Sequence, residues 1–398
     1  MKAIFMLLFM AMHVTVFGFN WTLYGPTGIH ANSILFSAGN HGYDVICTNN
    51  GVCVNNGVGY SWNTYTSSLP VWEAIPYDTS NVLLVMGNGS YSDGIYKFNL
   101  STNTYNVIEW CINPTFIKYC TINNTYYAGT RYNGMLSSTD GITWNTVPYF
   151  QGKGCAAMDF YGQHIAVTQE NNIFATYYSD DGGITWNQSS SNIPFHDIAF
   201  DMNGTLYGVF TGISNSSGLY LSHDFGHTWN MESFIDNMNT VGFDVLGKIF
   251  TGFHGASAPQ EGVAIYDTTT NNFTFLNTGL PNKNIHQFKV NPLLSSIAIF
   301  ACTDTGVYYC NDYVTSVRNN YFVENNLQIY PNPANDKIEI TGLNNGTIEI
   351  IDVQGQIVRT LNISSAKTTI DLIKLSSGTY VIKVITDRGA TARKFIKE

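Results

Sequence analysis

One short pattern, Ser-x-Asp-x-Gly-x-Thr-Trp, recurs along this chain, and a motif repeated at near-constant spacing limits the possible folds more sharply than any overall property does. Full copies run from Ser179 to Trp186 and from Ser222 to Trp229, and a copy one residue shorter runs from Ser138 through Asp140 and Gly141 to Trp144. These residue types describe a tight turn between two strands. An Asp accepts hydrogen bonds from backbone amides one or two residues on, and Gly supplies a positive φ that other residues resist. Thr and Trp then open a strand in which the indole is buried with its N–H satisfied. The octet is expected to be a folding device first.

Strands equivalent to the one opened by each motif Trp start at Trp21, Trp62, Tyr105, Trp144, Trp186, Trp229 and Phe273, at spacings of 41, 43, 39, 42, 43 and 44 residues. A period of that size is the length of one four-stranded propeller blade. The copy at Trp62 is degenerate, running from Asn55 to Trp62, and those at Tyr105 and Phe273 keep only the strand. Flanking positions hold the same register: Cys47-Thr48-Asn49-Asn50-Gly51-Val52 matches Cys302-Thr303-Asp304-Thr305-Gly306-Val307. Leu69-Pro70, Val147-Pro148, Ile193-Pro194 and Leu280-Pro281 mark crossings between repeats, where Pro costs no central ladder bond. The last repeat ends near Asn311 without a fourth strand, while Asn20-Trp21-Thr22-Leu23 is a strand with no repeat of its own. With 14% aromatic residues, only 12% charged and 36 Gly, the chain favours many short strands over helices. The expectation is an all-β chain: a seven-bladed β-propeller closed by the N-terminal strand, which leaves no open edge.

The octet resembles the Asp-box, or BNR repeat, of sialidase-type β-propellers. The resemblance implies that it lies on the hairpin between the third and fourth strands of a blade, on the face away from the ligand funnel. Asp140, Trp144, Asp181, Trp186, Asp224 and Trp229 are then structural rather than catalytic. It also implies that ligands meet the blade-to-blade crossings and the loops between second and third strands. Ligand-binding candidates there are Trp72, Trp110, Arg131, His196, His254 and His286, with His30 beside them. Trp72 and Trp110 either stack on a sugar ring or fill space between blades. Glu170 and Glu261 are the candidate catalytic carboxylates, and Asp93, Asp197 and Asp304 are further members of that group.

Sialidases of this fold hold a carboxylate with three Arg, whose bidentate contacts Lys does not replace. Between Asn20 and Ser316 there is a single Arg, Arg131, so sialidase activity is not expected. Other glycosidases need two carboxylates flanking the bond, and the sequence does not say which pair would face each other. No Ser-His-Asp signature, His-Glu-x-x-His, phosphate loop or EF-hand loop is present, and His223 and His227, four apart, sit in a turn. No metal and no cofactor are expected.

The ends of the chain speak to its address. Met1-Lys2 followed by an apolar run to Val16 and then Phe17-Gly18 reads as a signal peptide over residues 1–18. No later stretch approaches the roughly 18–20 apolar residues of a membrane helix. Seven Cys in an exported chain are compatible with disulfides, but the number is odd, and buried apolar thiols on strands fit as well; the pairing is left open. Between Asn20 and Ser316, seven basic and twenty acidic residues make a strongly acidic region, a poor match to nucleic acid.

From Leu327 the period stops, and nine basic residues face seven acidic ones. Leu327-Gln328-Ile329-Tyr330-Pro331-Asn332-Pro333 is followed by alternating apolar runs around Ile348–Ile351 and Tyr380–Val384 and by a basic end, Arg393 to Lys397, which together suggest a small β-sandwich. The segment resembles the type A C-terminal sorting domain of the type IX secretion system of Bacteroidetes. That resemblance implies export through the outer membrane, removal of the domain, and release or attachment at the cell surface, with the secretion machinery as partner of residues 327–398. The expected division is 1–18 signal peptide, 19–316 propeller, 317–326 linker and 327–398 sorting domain. The expected function is a non-catalytic recognition or scaffold module for extracellular glycan or protein. The alternative is a glycoside hydrolase or lyase acting on extracellular polysaccharide.

Overall fold

Apolar runs broken by Gly and Asn turns become strands along the whole chain. The computed structural model describes residues 20–38, 42–55, 61–169, 175–212, 216–244, 247–254, 262–290, 299–310, 328–341, 346–352, 356–363, 367–386 and 389–398. The signal segment, most of the degenerate octet, Glu170, Glu261 and the linker lie outside the described residues.

Among the described residues up to Cys310, strands form seven four-stranded antiparallel sheets, six of them from consecutive strands. The first sheet is typical: Ala31–Ala38, Tyr43–Thr48, Gly51–Asn55 and Trp62–Thr66. The first strands of the other six are Val71–Pro76, Pro114–Cys120, Ala157–Tyr161, Asp197–Phe200, Met238–Phe243 and Ile285–Val290. Each first strand lies against the next, and that of the seventh sheet lies against that of the first. Second strands such as Ile249–Phe253 and Ile299–Thr303 are buried throughout, because a neighbouring sheet covers each of their faces. Val45 and Val52 of the first sheet, for example, share one core with Leu84 and Phe98 of the second.

The seventh sheet takes its fourth strand from the start of the chain. Thr22–Leu23 pairs antiparallel with Gly306–Cys310, matching Thr22 to Tyr309 and Leu23 to Tyr308. Trp21 anchors it. Its backbone N–H donates to Thr278 O at 2.9 Å, its indole N–H donates to Leu276 O, and the ring packs with Leu276, Leu280 and Tyr308.

The octets are turns, with one difference from expectation. Asp140 Oδ1 accepts from the amides of Ile142 and Thr143, and Asp181 and Asp224 accept from those of Thr185 and Thr228, so the reach is two to four residues rather than one or two. The preceding Ser bonds the same carboxylate and also accepts the Gly amide, so that each turn is closed from both sides. These bonds draw the Asp140 and Asp181 carboxyls down to about 2. Gly183 and Gly226 have φ of 89° and 97°, as the turn requires. The indoles of Trp144 and Trp186 donate to Gly141 O and Gly183 O, whereas Trp229 Nε1 is buried without a hydrogen-bond partner.

Beyond residue 327, a three-stranded sheet (Gln328–Tyr330, Lys337–Thr341, Lys367–Asp371) and a four-stranded one (Gly346–Ile351, Ile357–Ile363, Gly378–Thr386, Gly389–Lys397) share a core of Ile338, Ile340, Ile348, Ile350, Ile370, Ile382 and Phe395. All seven Cys are buried, and none is in a disulfide.

All seven Trp precede residue 230, so tryptophan fluorescence reports the repeat region separately from the tail. Trp21→Ala should lower its unfolding free energy by about 3–5 kcal/mol, the usual loss for a buried Trp. Denaturant titration followed by fluorescence checks this, and a loss under about 1 kcal/mol would mean that the N-terminal strand does not brace the seventh sheet.

Candidate functional site

The first strand of each sheet is an edge, so alternate N–H groups along it have no strand partner. For three of these strands an acidic side chain from the preceding sheet supplies one. Glu73 Oε2 accepts from Ile117 N, Asp159 Oδ2 from Phe200 N, and Asp197 Oδ2 from Val241 N, at 3.2, 2.7 and 3.1 Å. In every case the donor is the fourth residue of the next first strand.

Two Lys join this group. Lys118 Nζ lies 2.7 Å from Glu73 Oε1, which Gln287 Nε2 also approaches at 3.4 Å from the first strand of the seventh sheet. Burial alone would raise the Glu73 carboxyl, but the charges of Lys118 and Lys289 outweigh it and leave it below the ordinary value. Burial dominates at Asp159, pushing its carboxyl up to about 6, and it also raises Asp197. Burial and the neighbouring Lys118 charge depress Lys289.

A second regularity concerns bulges. In five sheets the register slips at the second residue of the first strand, at Asn32, Trp72, Thr115, Asn239 and His286. A bulge re-aims its side chain. Asn32, Thr115 and Asn239 use this to reach the following sheet, donating to Val71 O, Cys155 O and Ile285 O. Trp72 and His286 do not. The Trp72 indole donates to Gly87 O of its own sheet and keeps its ring partly exposed, while His286 turns to two side chains.

Those side chains are Asp304, in the turn between the second and third strands of the seventh sheet, and His30, immediately before the first sheet. Asp304 Oδ1 lies 2.7 Å from His286 Nε2 and 3.1 Å from His30 Nδ1. Its Oδ2 accepts from Asn284 Nδ2 at 2.6 Å and Asn282 Nδ2 at 3.3 Å. The imidazoles of His30 and His286 are 4.4 Å apart, and that of His254 is 6.0 Å from His286. Burial lowers the pKa of His286 despite the Asp304 bond; at Asp304 the bonds from His286 and Asn284 outweigh burial and lower it.

The other described sequence candidates sit at the same end of their own sheets, where first strands begin and second strands end. Trp110 closes the fourth strand of the second sheet, 57% exposed and edge-on to Tyr96, so it does not fill space between sheets. Tyr91, Tyr132 and Arg131 are exposed in neighbouring turns. His196 is exposed, with Nε2 3.3 Å from Thr211 O, and is not part of the histidine group. Asp93 is consumed by its own loop and the crossing to the third sheet, accepting the amides of Asn88, Gly89 and Ser90 and that of Asn113. Glu170 and Glu261 lie outside the described residues. Sequence reasoning missed Glu73, Lys118, Asp159 and Lys289; their signal is a charge inside an otherwise apolar first strand.

Comparison with known proteins decides the tail. Residues 328–398 match the family described as the secretion system C-terminal sorting domain. The sorting domain implies a secreted or cell-surface protein that engages the type IX machinery, and among the described residues no helix is long and apolar enough to cross a membrane.

No curated protein matches the chain in sequence. In structure, the whole chain is similar to the extracellular domain of a putative one-component system from B. thetaiotaomicron (14% identity, TM-score 0.57), covering 94% of this chain and 52% of that one. The chain therefore spans about half the length of that relative. It is also similar to a GH74 xyloglucanase from Xanthomonas campestris (12%, TM-score 0.58, covering 94% and 75%) and to YCF48 from Cyanidioschyzon merolae (14%, TM-score 0.52, covering 73% and 98%). At these identities the likeness is one of fold: all-β and propeller-like.

The raised Asp159 carboxyl gives a pH signature. A group with a higher pKa folded than unfolded contributes stability that is full below its unfolded value, near 3.8, and lost as pH rises through about 6. Asp159→Asn should therefore gain on the parent in melting temperature between pH 4.5 and 7.5, because Asn keeps the acceptor for Phe200 N without the charge. A difference independent of pH would contradict the shift.

Proposed function

We propose that the seven sheets are the blades of one β-propeller, that the octets are its Asp-boxes, and that the tail sheets form a β-sandwich. Residues 1–18 would be the signal peptide, 19–316 the propeller, 317–326 the linker and 327–398 the cleaved sorting domain. The protein acts outside the cell as a non-catalytic recognition or scaffold module for glycan or protein. One observation carries this reading: five of the described carboxylates at or near the loop end are already engaged. Glu73, Asp159 and Asp197 hold neighbouring strands, Asp93 holds its loop, and Asp304 holds two imidazoles. What that end offers instead is exposed aromatic surface, Trp72, Tyr91, Trp110 and Tyr132, with Arg131 beside it. Such rings suit the apolar faces of sugars or side chains of a protein partner.

A polysaccharide-cleaving enzyme is the second reading. It is supported by Asp159, whose pKa of about 6 suits a general acid. Against it, Phe200 N occupies one oxygen of that carboxyl.

A thermal-shift screen of the purified protein against oligosaccharides, with product analysis of every hit, separates the two. A ligand present at about a hundred times its Kd raises stability by ~2.7 kcal/mol. A shift without cleavage, reduced by Trp72→Ala or Trp110→Ala, is expected; turnover abolished by Asp159→Asn would overturn the non-catalytic reading. For the address, removal of residues 327–398 should leave the protein in the periplasm. Normal surface delivery of the truncated chain would refute the sorting role.

A further inference from the structure

We propose that His30, His286 and Asp304 form a binding site for a divalent transition-metal ion of borderline softness, of which zinc is the reference case. The donors are two imidazole nitrogens and one carboxylate oxygen, a set that suits zinc, cobalt, nickel or copper(II) far better than magnesium or calcium. Three candidate ligand atoms, one from each residue, lie within 4.8 Å of one another. Around a tetrahedral zinc with metal–ligand bonds of about 2.0–2.2 Å, donor atoms stand ~3.3 Å apart. The present separations from Asp304 Oδ1, 2.7 Å to His286 and 3.1 Å to His30, need to open by about 0.6 and 0.2 Å.

The surroundings are those of a prepared site rather than a chance contact. Asn284 and Asn282 both donate to Asp304 Oδ2, which turns Oδ1 toward the imidazoles in the manner of outer-shell partners that orient a ligand. The bulge at His286 brings its ring to this point instead of to the neighbouring sheet, departing from Asn32, Thr115 and Asn239 at the equivalent position. The three side chains remain 18–31% exposed, so a fourth position is open to water or ligand, and His254 stands close by. His286 and Asp304 belong to the seventh sheet and its turn and His30 stands immediately before the first, so a bound ion would also bridge the seam between them.

The test uses the full chain after chelator treatment, titrated with zinc by calorimetry and with cobalt by visible absorption. One equivalent of zinc should bind and raise the melting temperature, and cobalt should give ligand-field bands without the thiolate charge-transfer absorption expected if buried Cys were responsible. His286→Gln and Asp304→Asn should abolish binding while the metal-free melting temperature stays close to that of the parent, and Asn284→Ala should weaken it about 10–100-fold. His164→Ala serves as a control, since His164 pairs with Asp180 at the octet end, and it should bind zinc like the parent. Absence of stoichiometric binding, thiolate absorption, or binding that survives both ligand substitutions would overturn the proposal. Should either ligand variant unfold, retention of zinc binding by Asn284→Ala at parental affinity overturns it equally.

Discussion

A cycle of sheets is stable only if every strand edge finds a partner or is too short and polar to invite one. The outer edges of the third and fourth sheets meet this by brevity: their fourth strands, Asn145–Thr146 and Asn187–Gln188, are two residues long and exposed. The inner edges cannot be short, because the first strands carry the contacts between sheets. In three of them an unpaired N–H, that of Ile117, Phe200 or Val241, is met by a carboxylate from the preceding sheet. The remaining edge, on the third strand of the last sheet, is closed by Thr22–Leu23. Sequence-distant pairing of this kind costs loop entropy that only the completed ring recovers.

The carboxylates bring charge into a confined space, and the chain manages it by near-balance. Glu73, Asp159 and Asp197 stand with Lys118 and Lys289, three acids with two bases. Glu73, in contact with Lys118, stays ionised; Asp159 and Asp197, bonded to backbone amides instead, are the two that burial pushes upward. The surplus negative charge is thus carried by the groups least compensated for it. A region as acidic as this one keeps both of its central Lys where they neutralise most.

How much of this could be read from the sequence follows from range. The octets, the period and the tail are local patterns, visible because turn chemistry and strand alternation act over a few residues. Even there, the reach of Asp181 to Thr185 rather than to the next residue or two depends on how the turn closes. The site is not local. His30 and Asp304 come from the two ends of the repeat region, and Gln287 approaches Glu73 from 214 residues away, so their meeting exists only once the ring has closed. From the sequence, His30, His254 and His286 are expected at one end but singly, Asp304 only as one of several carboxylates, and no metal is expected, because neither their spacing nor a helical motif joins them.

The bulge position shows how such a fold separates holding from binding. In three sheets that residue ties one sheet to the next through a side-chain bond to a carbonyl. Where it is given up, other contacts carry the join. The second sheet holds the third through Glu73, which takes both Ile117 N and Lys118 Nζ. The seventh holds the first through aromatic packing: Phe300 lies 4.6 Å from Phe36 and 4.9 Å from Tyr24, which in turn meets Trp62 edge-on. With the joins secured in these ways, Trp72 and His286 are released from structural duty at the two positions best aimed outward. The chemistry of the loop end can therefore change at a bulge without loosening the ring, provided that the sheet concerned has a second hold on its neighbour.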